Sequence, residues 1–184
     1  MKRIFAAVKI TPGTILTEVL LNLKNKLKND RINWVDLHNL HITLKFFGET
    51  VEDDIPGICK HLAELTELNR SFELSLKGIG IFGSSYQPKV IWIGIDHNDS
   101  LIKLGTDVLD RMDNLGYKKD RQNFVPHLTL GRIKYIADKA YFNDLIKTYT
   151  NKAIQTSTID SMHLIESKLS SEGPTYNVLE TFNL

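Results

Sequence analysis

The sequence predicts an α+β fold built from two similar halves. Short segments rich in strand-forming residues alternate with segments whose apolar residues recur at helical spacing. The tetrapeptide His-Ile-Thr-Leu at 41–44 returns as His-Leu-Thr-Leu at 127–130, 86 positions later. The same shift aligns three further predicted element starts, which are Arg3 with Lys89, Glu52 with Asp138, and Phe72 with Thr158. A parallel α/β sheet would also alternate strands and helices, but two short lobes with mostly antiparallel sheets fit the element count better.

The first half is predicted to run strand, helix, strand, helix, strand. A buried strand over 3–9 ends at the turn residues Thr11, Pro12 and Gly13. A helix over 14–28 is indicated by an apolar stripe that includes Leu16, Leu20 and Leu23. A linker that holds Trp34 leads to the motif strand over 41–47, which Gly48 closes. The half ends with a helix over 52–68 and an alternating strand over 72–82.

The second half repeats this order. Strands are predicted over 89–95, 126–133 and 159–167, with helices over 99–115 and 138–148 between them. Gly116 is a plausible stop for the first of these helices. A further strand over 176–184 closes the chain. We therefore expect a single bilobal domain over residues 1–184 that arose by internal duplication.

Composition limits the kinds of partner. A net charge of +1 gives no global basic field for long nucleic acid, so RNA would have to be gripped locally. Lys118, Lys119 and Arg121 form the densest local cluster, although a solvated loop is the simpler explanation for them. The apolar runs are too short to span a membrane, no leader pattern opens the sequence, and Cys59 is alone. We expect a cytoplasmic monomer.

The repeated tetrapeptide is the strongest candidate for a site. On a strand, His41 and Thr43 share one face, as do His127 and Thr129. One copy would suit an ordinary polar sheet face, whereas two copies at equivalent positions favour a shared phosphate site. One imidazole can accept a proton from water while the other protonates the leaving oxygen, and the threonine hydroxyls can bind the remaining phosphate oxygens.

This chemistry needs no metal or other cofactor. His38 and His41 are a conceivable metal pair, but a spacing of three puts them on opposite faces of a strand. The remaining histidines lie outside the motifs and are expected to have packing or surface roles.

The residues around the motifs resemble those of a known family. The resemblance rests on Arg3-Ile4-Phe5, Asn33-Trp34-Val35, the segment from His38 to Glu49, the segment from Phe124 to Arg132, and the end from Leu164 to Tyr176. Together these segments resemble the 2H phosphoesterases, within which they are most similar to the RNA 2',3'-cyclic phosphodiesterases once described as 2'-5' RNA ligases. The resemblance covers nearly the whole chain.

The resemblance implies two pseudo-twofold-related lobes with the motifs facing a central cleft. It implies hydrolysis of 2',3'-cyclic phosphate ends on RNA or nucleotides to 2'-phosphomonoesters, with His41 as proton donor and His127 as acceptor. It also implies that Thr43 and Thr129 hold the phosphate, and that the reverse chemistry can join tRNA halves. The sequence alone does not order the two histidines. Two alternatives stay open, namely a non-catalytic RNA-end binding module and a related enzyme for 2'-5' oligonucleotides or another small cyclic phosphate.

Further candidate substrate ligands lie close to the motifs in the sequence. Alternation puts Lys45 on the face of His41 and Thr43, although a solvated strand end would look the same. Arg132 matches a family arginine and suits phosphate, yet alternation puts it opposite His127 unless the strand bends near Gly131. Three aromatic residues could stack on a base or pack in the core, namely Trp34, Phe82 and Phe124.

Overall fold

The computed structural model describes residues 1–118, 124–170 and 173–184, and in these ranges it contains nine strands and four α-helices. The strands are β1 Lys2–Lys9, β2 Arg31–Trp34, β3 His41–Thr50, β4 Phe72–Gly83, β5 Pro88–Ile95, β6 Leu128–Tyr135, β7 Ala153–Ile159, β8 Ser161–Ser170 and β9 Gly173–Asn183. The helices are α1 Thr14–Lys26, α2 Ile55–Thr66, α3 Asp99–Asn114 and α4 Lys139–Lys147. The α+β prediction is confirmed. Lys119 and Arg121 of the predicted basic cluster lie outside the described residues.

The strands form two sheets. The first sheet has the order β3-β1-β8-β9, and the second has the order β2-β6-β5-β4-β7. Every pairing between described strands is antiparallel, as the sequence predicts. The two motif strands, β3 and β6, belong to different sheets, so each sheet carries one motif.

The two halves of the chain exchange strands. The last strand of the first half, β4, lies between β5 and β7 of the second sheet. In return β8 and β9, from the end of the chain, complete the first sheet beside β1. The repeat is thus visible in space as β3-β1-β8 against β6-β5-β4, although neither sheet is made from one half alone.

Two strands are additional to the predicted ones. The linker that holds Trp34 forms β2, a four-residue edge strand that pairs with β6. The strand β7 precedes β8 and pairs with β4. β2 is only four residues long and β7 is largely polar, so neither sequence carries the longer apolar alternation that marks the inner strands.

Gly48 does not end the first motif strand. It has a φ of +80° and pairs with Ile4, so β3 continues to Thr50 through a bulge. One large core fills the space between sheets and helices, with Ile4, Val8 and Ile42 from the first sheet and Ile91, Ile93 and Leu130 from the second among its buried members. In the part of the chain described, none of the helices is both long and apolar enough to cross a bilayer.

Candidate active site

The two motif histidines have the same local geometry. The Nδ1 atom of His41 lies 2.6 Å from the carbonyl oxygen of Asn39, and that of His127 lies 2.8 Å from the carbonyl oxygen of Val125. In each case the partner is two residues earlier in the chain. His41 begins β3 and His127 directly precedes β6, and these two strands contact each other across the sheets.

This geometry fixes which ring nitrogen is available for chemistry. A carbonyl oxygen can only accept a hydrogen bond, so Nδ1 carries the proton in both rings. The Nε2 atom is then an acceptor in the neutral ring and a donor in the charged ring. Both histidines can therefore exchange a proton through Nε2 without a change of tautomer.

A bulge follows each histidine-threonine pair. On β3, Thr43 lies opposite Ala7 and Lys45 lies opposite Ala6, which leaves Leu44 as an extra residue. On β6, Thr129 lies opposite Trp92 and Gly131 lies opposite Ile91, which leaves Leu130 as the extra residue. An extra residue inverts the alternation of all side chains that follow it on the strand. The repeat thus includes a backbone irregularity as well as a sequence motif.

The bulge reverses the predicted orientation of Arg132. Arg132 lies opposite Val90 and Thr129 lies opposite Trp92, and because Val90 and Trp92 are two residues apart, the two β6 side chains share a face. The alternation that puts Arg132 on the opposite face is wrong because it omits Leu130. The structure brings this guanidinium to the motif side of the second sheet.

The bulge at Leu44 turns the side chain of Lys45 away from the face of His41 and Thr43. Its partner Ala6 belongs to the buried core face of β1, whereas Ala7 and Phe5 belong to a separate cluster on the motif face. Lys45 is only 4% exposed, and its Nζ donates a hydrogen bond to the carbonyl oxygen of Lys118 at 2.5 Å. The predicted placement of Lys45 beside His41 and Thr43 is therefore wrong, and the structure gives its ammonium a structural partner.

Aromatic rings pack against both motif imidazoles. The ring of His41 lies 4.9 Å from that of Phe5 and 5.3 Å from that of Tyr176, with the Tyr176 contact edge to face. The ring of His127 lies 4.7 Å from that of Phe82, also edge to face. Sequence reasoning missed Phe5 and Tyr176 as site residues. Phe5 reaches the site because β1 pairs with β3, and Tyr176 reaches it because β9 pairs with β8. Local periodicity reveals neither pairing.

Two of the three aromatic stacking candidates pack elsewhere. A Cβ added to Gly131 would lie 3.0 Å from the Trp34 ring, and one added to Gly105 would overlap the Phe124 ring. Both rings therefore lie against glycines, and both pack against the main core. Phe82 is the one of the three that contacts a motif histidine.

The comparisons with known proteins agree with this architecture. The profile of the 2'-5' RNA ligase superfamily matches residues 21–170. The chain belongs to this superfamily.

Named relatives cover almost the full chain. An RNA 2',3'-cyclic phosphodiesterase of Methanocaldococcus jannaschii is 34% identical over 180 residues, which are 97% of this chain and 98% of the relative. One of Aquifex aeolicus is 32% identical over 187 residues, with 100% and 99% coverage. A crystal structure of a Thermus thermophilus protein superposes with a TM-score of 0.79 at 26% identity, covering 99% of this chain and 97% of that one. Escherichia coli LigT complexed with 3'-AMP shares the fold, with a TM-score of 0.77, 22% identity, and 100% and 98% coverage.

In this superfamily member, the motif threonines are free to bind a ligand. Thr43 is exposed and Thr129 is half-buried. Within residues 1–118, 124–170 and 173–184, neither hydroxyl forms a hydrogen bond. Each hydroxyl can therefore donate to an incoming anion without breaking an existing contact.

Burial and nearby positive charges both act on the pKa of His41. Burial lowers the pKa of His41 below its ordinary value, and the hydrogen bond to Asn39 partly opposes this change in pKa. The positive charges of Arg132 and Lys9 lower the pKa of His41 further, and Arg132 has the larger influence of the two. These charges belong to both sheets, Lys9 to β1 and Arg132 to β6, as a cleft lined by both motifs would require.

Tyr176 belongs to the same electrostatic cluster. Burial raises the pKa of its phenol, while the charges of Arg132 and Arg3 partly offset that rise in pKa. Arg3 also lies over the ring of Phe46, 4.6 Å from its centre. Positive charges from both sheets, Arg3 on β1 and Arg132 on β6, thus act on the phenol that contacts His41, and they favour an anion in its surroundings.

His38 does not lie on the motif strand with His41. It is in a short 3-10 turn, Leu37–Asn39, and not on the strand, so the argument from opposite strand faces is wrong. Both histidines line a small pocket of about 30 Å³ with Lys9 and Tyr176. Among the described residues, no group of three or more histidine, cysteine, aspartate or glutamate side chains is arranged to hold a metal.

Proposed function

We propose that this chain hydrolyses the 2',3'-cyclic phosphate at the end of an RNA or nucleotide to a 2'-phosphomonoester. The observation that carries the proposal is the matched pair of imidazoles, each with Nδ1–H bound to a backbone carbonyl and Nε2 left for proton transfer. The relatives named RNA 2',3'-cyclic phosphodiesterase support the substrate class, since they align over nearly their whole length.

The proposed reaction is an in-line displacement at phosphorus. The oxygen of a water molecule forms a bond to phosphorus while the bond between phosphorus and O3' breaks. His127 accepts the proton that water loses, and His41 donates a proton to O3'. The products are a free 3'-hydroxyl and a 2'-phosphate. The assignment of donor and acceptor follows the family resemblance.

The lowered pKa of His41 bears directly on its role as the acid. In the free protein, burial and neighbouring cations favour the neutral form of His41. A bound phosphate anion adds negative charge beside the ring and raises its pKa, which favours the charged form that can donate. The substrate therefore helps to load the proton that its own leaving oxygen takes up.

Other side chains would bind the phosphate. The free hydroxyls of Thr43 and Thr129 can donate to its non-bridging oxygens, and the guanidinium of Arg132 can form paired hydrogen bonds to them. Phe5 and Tyr176 contact the His41 ring directly and would limit its rotation. Such preorganised donors stabilise the charge that builds on the phosphorus oxygens in the transition state.

The same pair can serve RNA joining. If the 5'-hydroxyl of a second RNA replaces water, it attacks phosphorus as the bond to O3' breaks, and a 2'-5' phosphodiester results. His127 would accept the hydroxyl proton and His41 would again protonate O3'. The superfamily's name and microscopic reversibility support this activity on RNA ends such as tRNA halves.

Product analysis tests the proposal. Adenosine 2',3'-cyclic phosphate incubated with the protein and a chelator should give 2'-AMP. Phosphorus NMR detects this product and distinguishes it from 3'-AMP. Formation of 3'-AMP would contradict the proposed bond cleavage, and loss of turnover on adding chelator would contradict the metal-free mechanism. Saturable binding without product would indicate an RNA-end binding module.

A further inference from the structure

A groove lies at the end of the second sheet, away from both motif histidines. It has a volume of about 670 Å³ and lies between the loop that joins β4 to β5 and the turn that joins β6 to α4. The charged and aromatic side chains that line it are Tyr86, Lys89, Lys134, Tyr135, Asp138 and Lys139. Neither the sequence motifs nor the proposed reaction uses any of them.

The groove carries an excess of positive charge. Lys89, Lys134 and Lys139 are all exposed, and none forms an ion pair with a carboxylate of the described ranges. The carboxylate of Asp138 also lines the groove, but its Oδ1 accepts a hydrogen bond from the backbone N–H of Tyr141 at 2.9 Å. On a chain with a net charge of +1, three such lysines against one acidic group are a distinct local feature.

Two tyrosines add exposed aromatic surface. Tyr86 is 81% exposed and Tyr135 is 54% exposed. Exposed rings beside cations are the combination that binds single-stranded nucleic acid, because bases stack on the rings while lysines neutralise the phosphates. An acidic protein partner would use the cations but would not need exposed rings.

Strand β6 carries residues of both the groove and the candidate active site. Lys134 is two residues beyond Arg132, and by alternation the two side chains leave the same face of the strand. Pro88, at the start of β5, lines the groove, while Val90, two residues along, lies opposite Arg132. A chain whose end is bound at Arg132 therefore reaches the groove within the length of two residues of β6.

We infer that this groove binds the nucleotides on the 5' side of the cyclic phosphate end, so that the preferred substrate is an oligoribonucleotide. The inference rests on the proposed function, because it requires the cyclic end to occupy the cleft. A 3'-terminal cyclic phosphate leaves the RNA only one direction in which to continue, and the groove offers that direction cations and stacking surfaces.

Kinetics with two substrates test the inference. Lys134→Gln/Lys139→Gln should raise KM several-fold for a hexanucleotide that ends in a 2',3'-cyclic phosphate, and should leave KM for adenosine 2',3'-cyclic phosphate unchanged. The slope of log KM against log salt concentration for the hexanucleotide should fall by about 1.4 in this double variant. Each phosphate that a lysine neutralises on a single strand contributes about 0.7 to that slope. Tyr86→Ala should raise the hexanucleotide KM about fivefold or more through lost stacking.

Matched controls separate the groove from general charge. Lys60→Gln/Lys152→Gln removes the same charge at exposed positions that do not line the groove and should change neither KM. Equal effects of the two double variants, or equal effects on both substrates, would overturn the inference.

A binding measurement keeps the groove testable if turnover fails. Fluorescence anisotropy with a labelled hexanucleotide that ends in a 2'-phosphate should show weaker binding to Lys134→Gln/Lys139→Gln than to the wild type. Absence of turnover with this difference intact would reject the proposed function and keep the groove. If the mononucleotide is turned over but the wild type and Lys134→Gln/Lys139→Gln bind the hexanucleotide equally well, the proposed function stands and the groove is rejected.

Discussion

At the scale of single residues, the site depends on two imidazoles whose protonation is set by their neighbours. The backbone carbonyls of Asn39 and Val125 fix the ring tautomers, and cations from both sheets act on His41. The sequence could identify the histidines and threonines because they repeat. It could not identify Phe5 and Tyr176, which contact His41 only through strand pairing.

The charge of Arg132 should be measurable on His41. Arg132 is the largest single cationic cause of the lowered pKa of His41, so Arg132→Gln should raise that pKa toward its ordinary value near 6.5. Lys9→Gln should raise the pKa of His41 less, because the influence of Lys9 is smaller. Proton NMR of the histidine ring signals against pH measures both, with Lys60→Gln as the control. An unchanged or lower pKa of His41 in Arg132→Gln would show that the two motifs do not share a cleft.

At the scale of elements, bulges decide which side chains meet. The apolar patterns are sufficient to predict α1 to α4 and most strands, because each presents a clear buried face. Simple alternation cannot predict the extra residues Leu44 and Leu130, since both are ordinary buried leucines. Each bulge inverts the pattern beyond it, which is why alternation places both Lys45 and Arg132 on the wrong face.

Two glycines offer a matched test of local backbone structure. Gly78 in β4 has a φ of +72°, and a Cβ there would overlap the carbonyl oxygen of Thr150. Gly78→Ala should therefore lower the free energy of unfolding by about 2 kcal/mol or more. Gly57→Ala in α2, where a Cβ meets nothing within 4 Å, should raise it by up to about 1 kcal/mol. Urea denaturation measures both, and a neutral Gly78→Ala would contradict the left-handed backbone conformation and the close Thr150 contact at this position.

At the scale of the whole molecule, the exchange of strands makes the two halves interdependent. The repeat in the sequence predicts two lobes, but it cannot reveal that β4 and β8 cross between them. Pairing across the halves depends on edges that become available only when both sheets form, and local periodicity carries no information about it. The first sheet needs β8 beside β1, and the second needs β4 between β5 and β7.

Separated halves should therefore not fold. A fragment of residues 1–86 lacks β8 and β9, and a fragment of residues 87–184 lacks β4. Each loses an inner strand of the sheet that its motif belongs to, together with the core that this strand buries. Neither fragment should show a cooperative thermal transition by circular dichroism, whereas the full chain should show one. Cooperative unfolding of either fragment alone would mean that the chain contains two independent domains.

The central claim is that His41 and His127 act as one catalytic unit, and a double-mutant cycle tests it most directly. In His41→Asn and His127→Asn, the new amide can still donate to the backbone carbonyl, so the fold should be retained by circular dichroism. Each single variant should lose about 10² to 10⁴-fold in kcat/KM on adenosine 2',3'-cyclic phosphate. The kcat/KM of the double variant should be only slightly below that of the less active single variant, because neither histidine can complete the proton transfer alone. Losses that multiply in the double variant, or activity that survives either single change, would contradict the claim.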